Sequence, residues 1–299
     1  MESKEINELL MNGQNSQQKG ETTDVSLTKK NNKFLFFCDA LNDSEINNVI
    51  KGTRPELITL FGFNDVGKTT FIGSLFHILC SGNEIGGYTF VDSETFIGFE
   101  DKVYNRRCNM LGESNQPRTG RTENAFLTIK LVEGDTSNER EVVFSDRAGE
   151  LYRDYKKNPE LLVKDKTLTR SNRILIFIDA SMLKGRSYSN MKDDLQTLYK
   201  QLSDNDKIPQ GARKYLVFNK FDKVINAHED LFINHKNIVT RLVKDTFGAD
   251  NFEEFCINSS NCHDAELNKL VQELIQPLTS SNGVNSELDW VNNGIKENK

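Results

Sequence analysis

Three short strings in this 299-residue chain have the residue types and spacing of a single chemical site. The first is Gly62-Phe63-Asn64-Asp65-Val66-Gly67-Lys68-Thr69. It follows Glu56-Leu57-Ile58-Thr59-Leu60-Phe61, which reads as a buried strand, and precedes a helical pattern from Thr70 to Cys80. A G-x-x-x-x-G-K-T string between strand and helix is a phosphate-binding loop. Its glycines let the backbone wrap closely around a polyphosphate. The N–H groups of Gly62 to Thr70 then point at the anion, at the favourable end of the helix dipole. Lys68 reaches the β- and γ-phosphates, and the Thr69 hydroxyl is a ligand for Mg²⁺.

The second string is Asp146-x-x-Gly149, after the apolar run Val142-Val143-Phe144. The Asp146 carboxylate suits Mg²⁺, directly or through water, and the Gly149 N–H suits a γ-phosphate. The third is Asn219-Lys220-x-Asp222, after Tyr215-Leu216-Val217-Phe218. Guanine presents N1–H and a 2-amino group, and the Asp222 carboxylate can accept from both; adenine offers no such pair. A site built for those donors discriminates against a base that lacks them. Asn219 either contacts the base N7 or braces the phosphate loop, and the Lys220 stem can cover the base face.

All three strings need strand ends to place them. Ile174 to Ile178 is continuously apolar, as a strand buried on both faces should be. Ala125, Leu127, Ile129 and Leu131 alternate with Phe126, Thr128 and Lys130, which predicts a half-exposed strand. The loop from there to Val142 is too short for a crossover helix, so these two strands should be antiparallel. Helical stripes run through Met191, Leu195, Leu198, Tyr199 and Leu202, through Ile238, Leu242 and Val243, and through Leu267, Leu270, Val271 and Leu274. Phe255-Cys256-Ile257 reads as a weak last strand. Phe34 to Cys38 predicts an extra strand, and Ser44 a helix cap. Strands and helices in alternation predict a three-layer α/β fold with its site at the C-terminal strand ends.

Residues 1–33 and 280–299 read as polar tails, the first disordered, around a domain at 34–279. The stretch at about 83–124 is an insertion that a minimal nucleotide domain does not need. It holds a strand pattern at Tyr88–Val91 and a helical spacing at Phe96, Phe99 and Val103. The net charge of −6 and the lack of a Lys/Arg block argue against nucleic acid as a partner. The longest apolar run is too short to span a bilayer. Five cysteines without a repeated spacing read as reduced thiols in a cytoplasmic protein, and four histidines show no metal spacing.

The order of the three strings, with the expected hairpin before Asp146, resembles translation-factor-related P-loop GTPases. That resemblance implies a Ras-like fold with a mostly parallel sheet and one antiparallel edge strand. More narrowly, the chain resembles the bacterial double-GTPase family of conflict systems, through Gly62-x-Asn64-x-x-Gly67-Lys68-Thr69-Thr70-Phe71, Ser93-x-Thr95 with Gly98-Phe99-Glu100, and Asp146-Arg147-Ala148-Gly149-Glu150. It implies a molecular switch that hydrolyses GTP to GDP and phosphate with Mg²⁺, and a protein partner, either a second GTPase or an effector. It also implies a switch threonine, Thr122 or Thr119, that ligates Mg²⁺ beside Thr69 and Asp146. Arg121 or Arg118 can act as an arginine finger. Glu150 stands where a Gln often orients the attacking water, and Ser259-Ser260-Asn261 replaces the usual Ser-Ala string that contacts guanine O6. Asp65 stands where some relatives have an Asn that binds a monovalent cation, so it either binds K⁺ or Na⁺ or caps the helix that follows; capping is the preferred role. A GTP-responsive scaffold with negligible turnover is the alternative from another class.

Overall fold

The computed structural model of the chain describes residues 38–49, 55–110, 125–136, 138–209, 211–224 and 229–278. Both polar tails, Phe34 to Phe37, and Arg118, Thr119, Arg121 and Thr122 lie outside these residues.

Seven strands form one sheet: β1 (Glu56–Phe61), β2 (Tyr88–Asp92), β3 (Ala125–Glu133), β4 (Asn138–Asp146), β5 (Arg173–Asp179), β6 (Arg213–Asn219) and β7 (Phe252–Cys256). Their spatial order is β2-β3-β4-β1-β5-β6-β7. β4, β1, β5, β6 and β7 pair in parallel, as the continuous apolar runs require. Every residue of β5 is buried, so both faces of the sheet are covered there. The covering helices are α1 (Asp43–Val49), α2 (Lys68–Leu79), α3 (Phe96–Met110), α4 (Gly149–Lys157), α5 (Pro159–Lys164), α6 (Ser187–Asp204), α7 (Glu229–Phe247) and α8 (Ala265–Ile275). The stripes on α6 and α8 are buried as expected. On α7 the buried residues are Phe232, Val239, Val243 and Phe247, with Ile238 and Leu242 half-buried beside them.

β3 and β4 are the expected antiparallel hairpin, in register from Ala125 opposite Asp146 to Glu133 opposite Asn138. The antiparallel strand is not the outermost one, because β2 from the insertion pairs outside it. Nor is β3 half-exposed: Phe126, Leu127, Thr128 and Ile129 are all buried, and α1 packs on the strand. Beyond a register shift in β2, two hydroxyls take over the ladder. Thr95 Oγ1 accepts from the Thr128 N–H at 2.9 Å, and Ser93 Oγ donates to the Thr128 carbonyl at 2.7 Å. The Ser93-x-Thr95 string is thus a strand substitute, since a buried backbone group left unpaired is costly.

Ser44 does not cap α1. The Asn42 side chain accepts from the Ser44 and Glu45 N–H groups at 2.9 and 3.0 Å, and the Asn42 N–H donates to Glu45 Oε2 at 3.2 Å, a capping box one turn long. Cys38 to Ala40 form no strand; Leu41 alone bridges to Phe126. At the opposite end of the sheet from the motifs, the buried Arg173 ties Glu56 of β1 to the last carbonyls of α8, Glu273 and Gln276. Among the described residues no helix is long and apolar enough to cross a membrane.

Candidate nucleotide site

The C-terminal ends of β1, β4, β5, β6 and β7 bring Gly62–Thr69, Asp146, Asp179, Asn219 and Ser259 to one edge. β1 lies between β4 and β5, the position at which open α/β sheets form a ligand crevice.

The loop after β1 is braced from below. Asn219 Nδ2 donates to the Val66 carbonyl at 2.8 Å, while Asn219 Oδ1 accepts from the Ser259 N–H at 3.0 Å and the Ser259 hydroxyl at 2.7 Å. Of the two roles open to Asn219, its hydrogen bonds here are those of a brace. Gly67 (φ 91°) makes room for it: a Cβ there would stand 2.1 Å from Asn219 Nδ2. Ser74 of α2 donates to the Ser259 carbonyl, so the last loop is also held from the helix side.

Lys68 curls back over its own loop. Its ammonium donates to the Gly62 carbonyl at 2.7 Å and the Phe63 carbonyl at 3.1 Å, and the side chain is buried. Burial lowers its pKa to about 8, against the opposing pull of Asp146, Glu150 and Asp65. Thr70 follows on α2, half-buried. Asp65 does not cap that helix: the N-cap is Gly67, and no side chain bonds there. Asp65 is exposed, in a left-handed turn (φ 61°) at the loop tip.

Asp146 is fully buried. Thr69 Oγ1 lies 3.5 Å from its Oδ2, and its Oδ1 has no partner among the described residues. A hydroxyl beside a carboxylate with an unused oxygen is a hard-donor set that fits Mg²⁺, an ion that takes one or two protein ligands and leaves the rest to phosphate and water. The described residues hold no cluster of three or more His, Cys, Asp or Glu side chains, which that mode of binding does not need.

The chain after Asp146 is anchored. Gly149 opens α4 against the phosphate loop, where a Cβ would stand 2.2 Å from the Asn64 nitrogen. Asn64 Nδ2 donates to Glu150 Oε1 at 2.6 Å. One turn on, the buried Tyr152 donates to the Leu60 carbonyl at 3.0 Å and packs edge-on against Phe61. Arg147 points away from the loop. It pairs with the buried Asp165 and reaches the Thr167 hydroxyl at 3.1 Å, while Tyr155 donates to Asp165 at 2.6 Å. Burial disfavours the Asp165 charge, but Arg147 and the hydrogen bonds from Tyr155 and Thr167 outweigh it and hold the carboxyl below its ordinary range.

At the base end, Asp222 is exposed and engages no side chain among the described residues. Lys220 (φ 59°) does not hang free: its ammonium pairs with Asp179 Oδ2 at 2.7 Å. The Ser260 N–H donates to Asn258 Oδ1 at 3.0 Å and the Asn261 N–H to the Asn258 carbonyl at 3.1 Å, so this turn satisfies itself. Asp179 and Tyr152 were missed from sequence. An acid directly after the Ile174–Ile178 run was a usable signal for the first; nothing local marks the second. A cavity of about 240 Å³ lined by Leu57, Phe126, Arg147, Asp165 and Arg170 takes no residue from the phosphate loop and is not this site.

No curated protein matches the chain. Among solved structures it is similar to the Roco2 RocCORdC protein of Methanosarcina barkeri bound to GDP, at 14% identity and TM-score 0.39, over 74% of this chain and 47% of that one. It is similar to the S. cerevisiae Ski7 GTPase-like domain bound to GDP and inorganic phosphate, at 14% identity and TM-score 0.41, over 72% and 46%. It is also similar to the Arl6 BBS3 small GTPase of Trypanosoma brucei with the analogue GppNp, at 14% identity and TM-score 0.37, over 74% and 96%. The chain thus spans about half the length of the first two. The Double-GTPase 2 family matches residues 56–279. This chain belongs to the Double-GTPase 2 family and has a P-loop α/β fold.

Proposed function

We propose that the chain binds GTP with Mg²⁺ and hydrolyses it slowly to GDP and phosphate, as a switch read by a protein partner. The observation that carries this is the tie from Asn219 to Val66 and Ser259, which makes the phosphate loop and the base loops one unit. Lys68 neutralises the β- and γ-phosphates once it leaves the Gly62 and Phe63 carbonyls. Thr69 and Asp146 would hold the Mg²⁺, which would offset charge on the phosphate oxygens. Asp222 accepts from guanine N1–H and the 2-amino group, with the Lys220 stem beside the base.

Slow turnover follows from Glu150. An ionised carboxylate accepts from a water but cannot donate to phosphoryl oxygens, and here it is engaged by Asn64. A cation must come from elsewhere: Arg118, Arg121, or a partner that is a second GTPase or an effector. The same contact favours the second reading, a GTP-responsive scaffold with negligible turnover. Nucleotide competition tests the binding claim: GTP and GDP should displace a guanine probe and ATP should not, and Asp222→Asn should shift preference toward xanthine nucleotides. Equal binding of ATP and GTP would sink it. Multiple-turnover phosphate release, alone and with the partner, separates enzyme from scaffold.

A further inference from the structure

Lys102 lies on α3, inside the insertion, yet its ammonium stands 3.0 Å from Asp146 Oδ2. Neither side chain is well hydrated, at 13% and 1% exposed. Packing delivers Lys102 to that point. Gly73 of α2, one turn after Thr69, lets α3 approach so closely that a Cβ there would stand 3.3 Å from the Lys102 carbonyl oxygen. One turn further along, Phe76 of α2 stacks on Phe99 of α3 at 4.6 Å, with the rings 8° from parallel. Phe99 and Val103, on either side of Lys102, are buried. Thr69 Oγ1 approaches the same carboxylate oxygen at 3.5 Å. The ammonium and the hydroxyl therefore converge on Oδ2 while Oδ1 stays unpartnered.

A buried carboxylate needs a compensating charge, and without metal Lys102 supplies it. Mg²⁺ sits about 2.0–2.1 Å from its oxygens and keeps several waters. An ammonium in hydrogen-bond contact with Oδ2 occupies the space of that ion and repels it. We propose that Lys102 is a tethered counter-cation that competes with Mg²⁺ for Asp146, so that metal loading is coupled to release of Lys102 and loosening of α3. The proposal rests on the nucleotide reading above. Coupling of this kind is reciprocal: the metal weakens the hold of Lys102 as much as Lys102 weakens that of the metal.

The test uses the full chain loaded with a fluorescent GDP analogue. Dissociation is followed across free Mg²⁺ concentrations set with EDTA, for wild type, Lys102→Met and Lys102→Arg, with thermal unfolding as the check on fold. Lys102→Met should move the half-effective Mg²⁺ concentration about tenfold lower, and Lys102→Arg should stay near wild type. Coincident Mg²⁺ curves for wild type and Lys102→Met would overturn the proposal. A second measurement needs no variant: hydrogen exchange of α3 in wild type with GDP, in Mg²⁺ and in EDTA. Faster exchange of α3 with Mg²⁺ is expected, and identical exchange in the two conditions overturns the proposal. A chain that binds GDP under neither condition overturns the nucleotide reading itself.

Discussion

Asn64 Nδ2 donates to Glu150 Oε1 at 2.6 Å, so one side-chain contact ties the phosphate loop to the start of the helix that follows Asp146. The Asn64 amide partly offsets the charge of the Glu150 carboxylate. Asn64→Ala and Glu150→Ala should each loosen the Gly149–Leu151 amides in hydrogen exchange, and the double variant should do little more than either. Glu150→Gln keeps an acceptor and should retain the protection. A double-mutant cycle gives the coupling, expected at about 0.5–3 kcal/mol; full additivity would mean the contact carries no energy.

Lys68 predicts a proton signal. Its folded pKa is lowered to about 8 from 10.5, chiefly by burial. Between those values the unfolded chain binds more protons than the folded one. The stability of the nucleotide-free protein should therefore rise with pH across that window, by up to about 3 kcal/mol. Phosphate oxygens restore the charge, so nucleotide binding near pH 8.5 should take up a proton, at a pH where the phosphates are already fully ionised. Calorimetry in buffers of different ionisation enthalpy reads this uptake, and no Lys68 uptake is expected near pH 6.

Asn219 and Gly67 should fail together. Gly67→Ala places a Cβ on Asn219 Nδ2 at a positive φ, so either the brace or the loop must shift. Asn219→Ala leaves the Val66 carbonyl and the Ser259 N–H without their partner, at about 1–3 kcal/mol. Both variants should lose nucleotide affinity at least tenfold by equilibrium titration. Wild-type affinity in Asn219→Ala would show that the brace is dispensable.

Arg147 and Asp165 form the buried pair that anchors the segment after Asp146. Asp165→Ala leaves the guanidinium buried without its carboxylate and should cost about 3–5 kcal/mol in chemical denaturation. Because the Asp165 pKa is lowered from 3.8, its contribution is complete above that value and is lost as pH falls through the lower, folded pKa. Wild type should lose stability there, and Asp165→Asn should show a flatter acid limb.

The three motif strings and the strands before them were legible because each is local. A glycine loop, a strand-end acid and a run of apolar residues are written in consecutive positions, and the shortness of the β5 run beside the long helical stripe of α6 separates the two. Helix α4 was missed because its buried face rests on Tyr152 and Tyr155, too few apolar residues to show a stripe. The half-exposed reading of β3 failed because α1 packs on it and Ser93 and Thr95 hydrogen-bond to Thr128, and burial by distant segments leaves no trace in the alternation of the strand itself.

By itself, then, the order of residues determined the phosphate loop, a parallel sheet to convene the motifs, and, as candidates, the Mg²⁺-ligating pair Thr69 and Asp146 and the base-reading Asp222. Only the tertiary structure decided what those groups touch: Asn219 as a brace, Asp179 as the partner of Lys220, Asn64 as the partner of Glu150, Lys102 beside Asp146. The physical reason is that each of these pairs joins groups far apart in the chain. Their meeting depends on how helices pack on a finished sheet, such as the close approach at Gly73 that carries Lys102 across to β4, and no local pattern encodes such an approach.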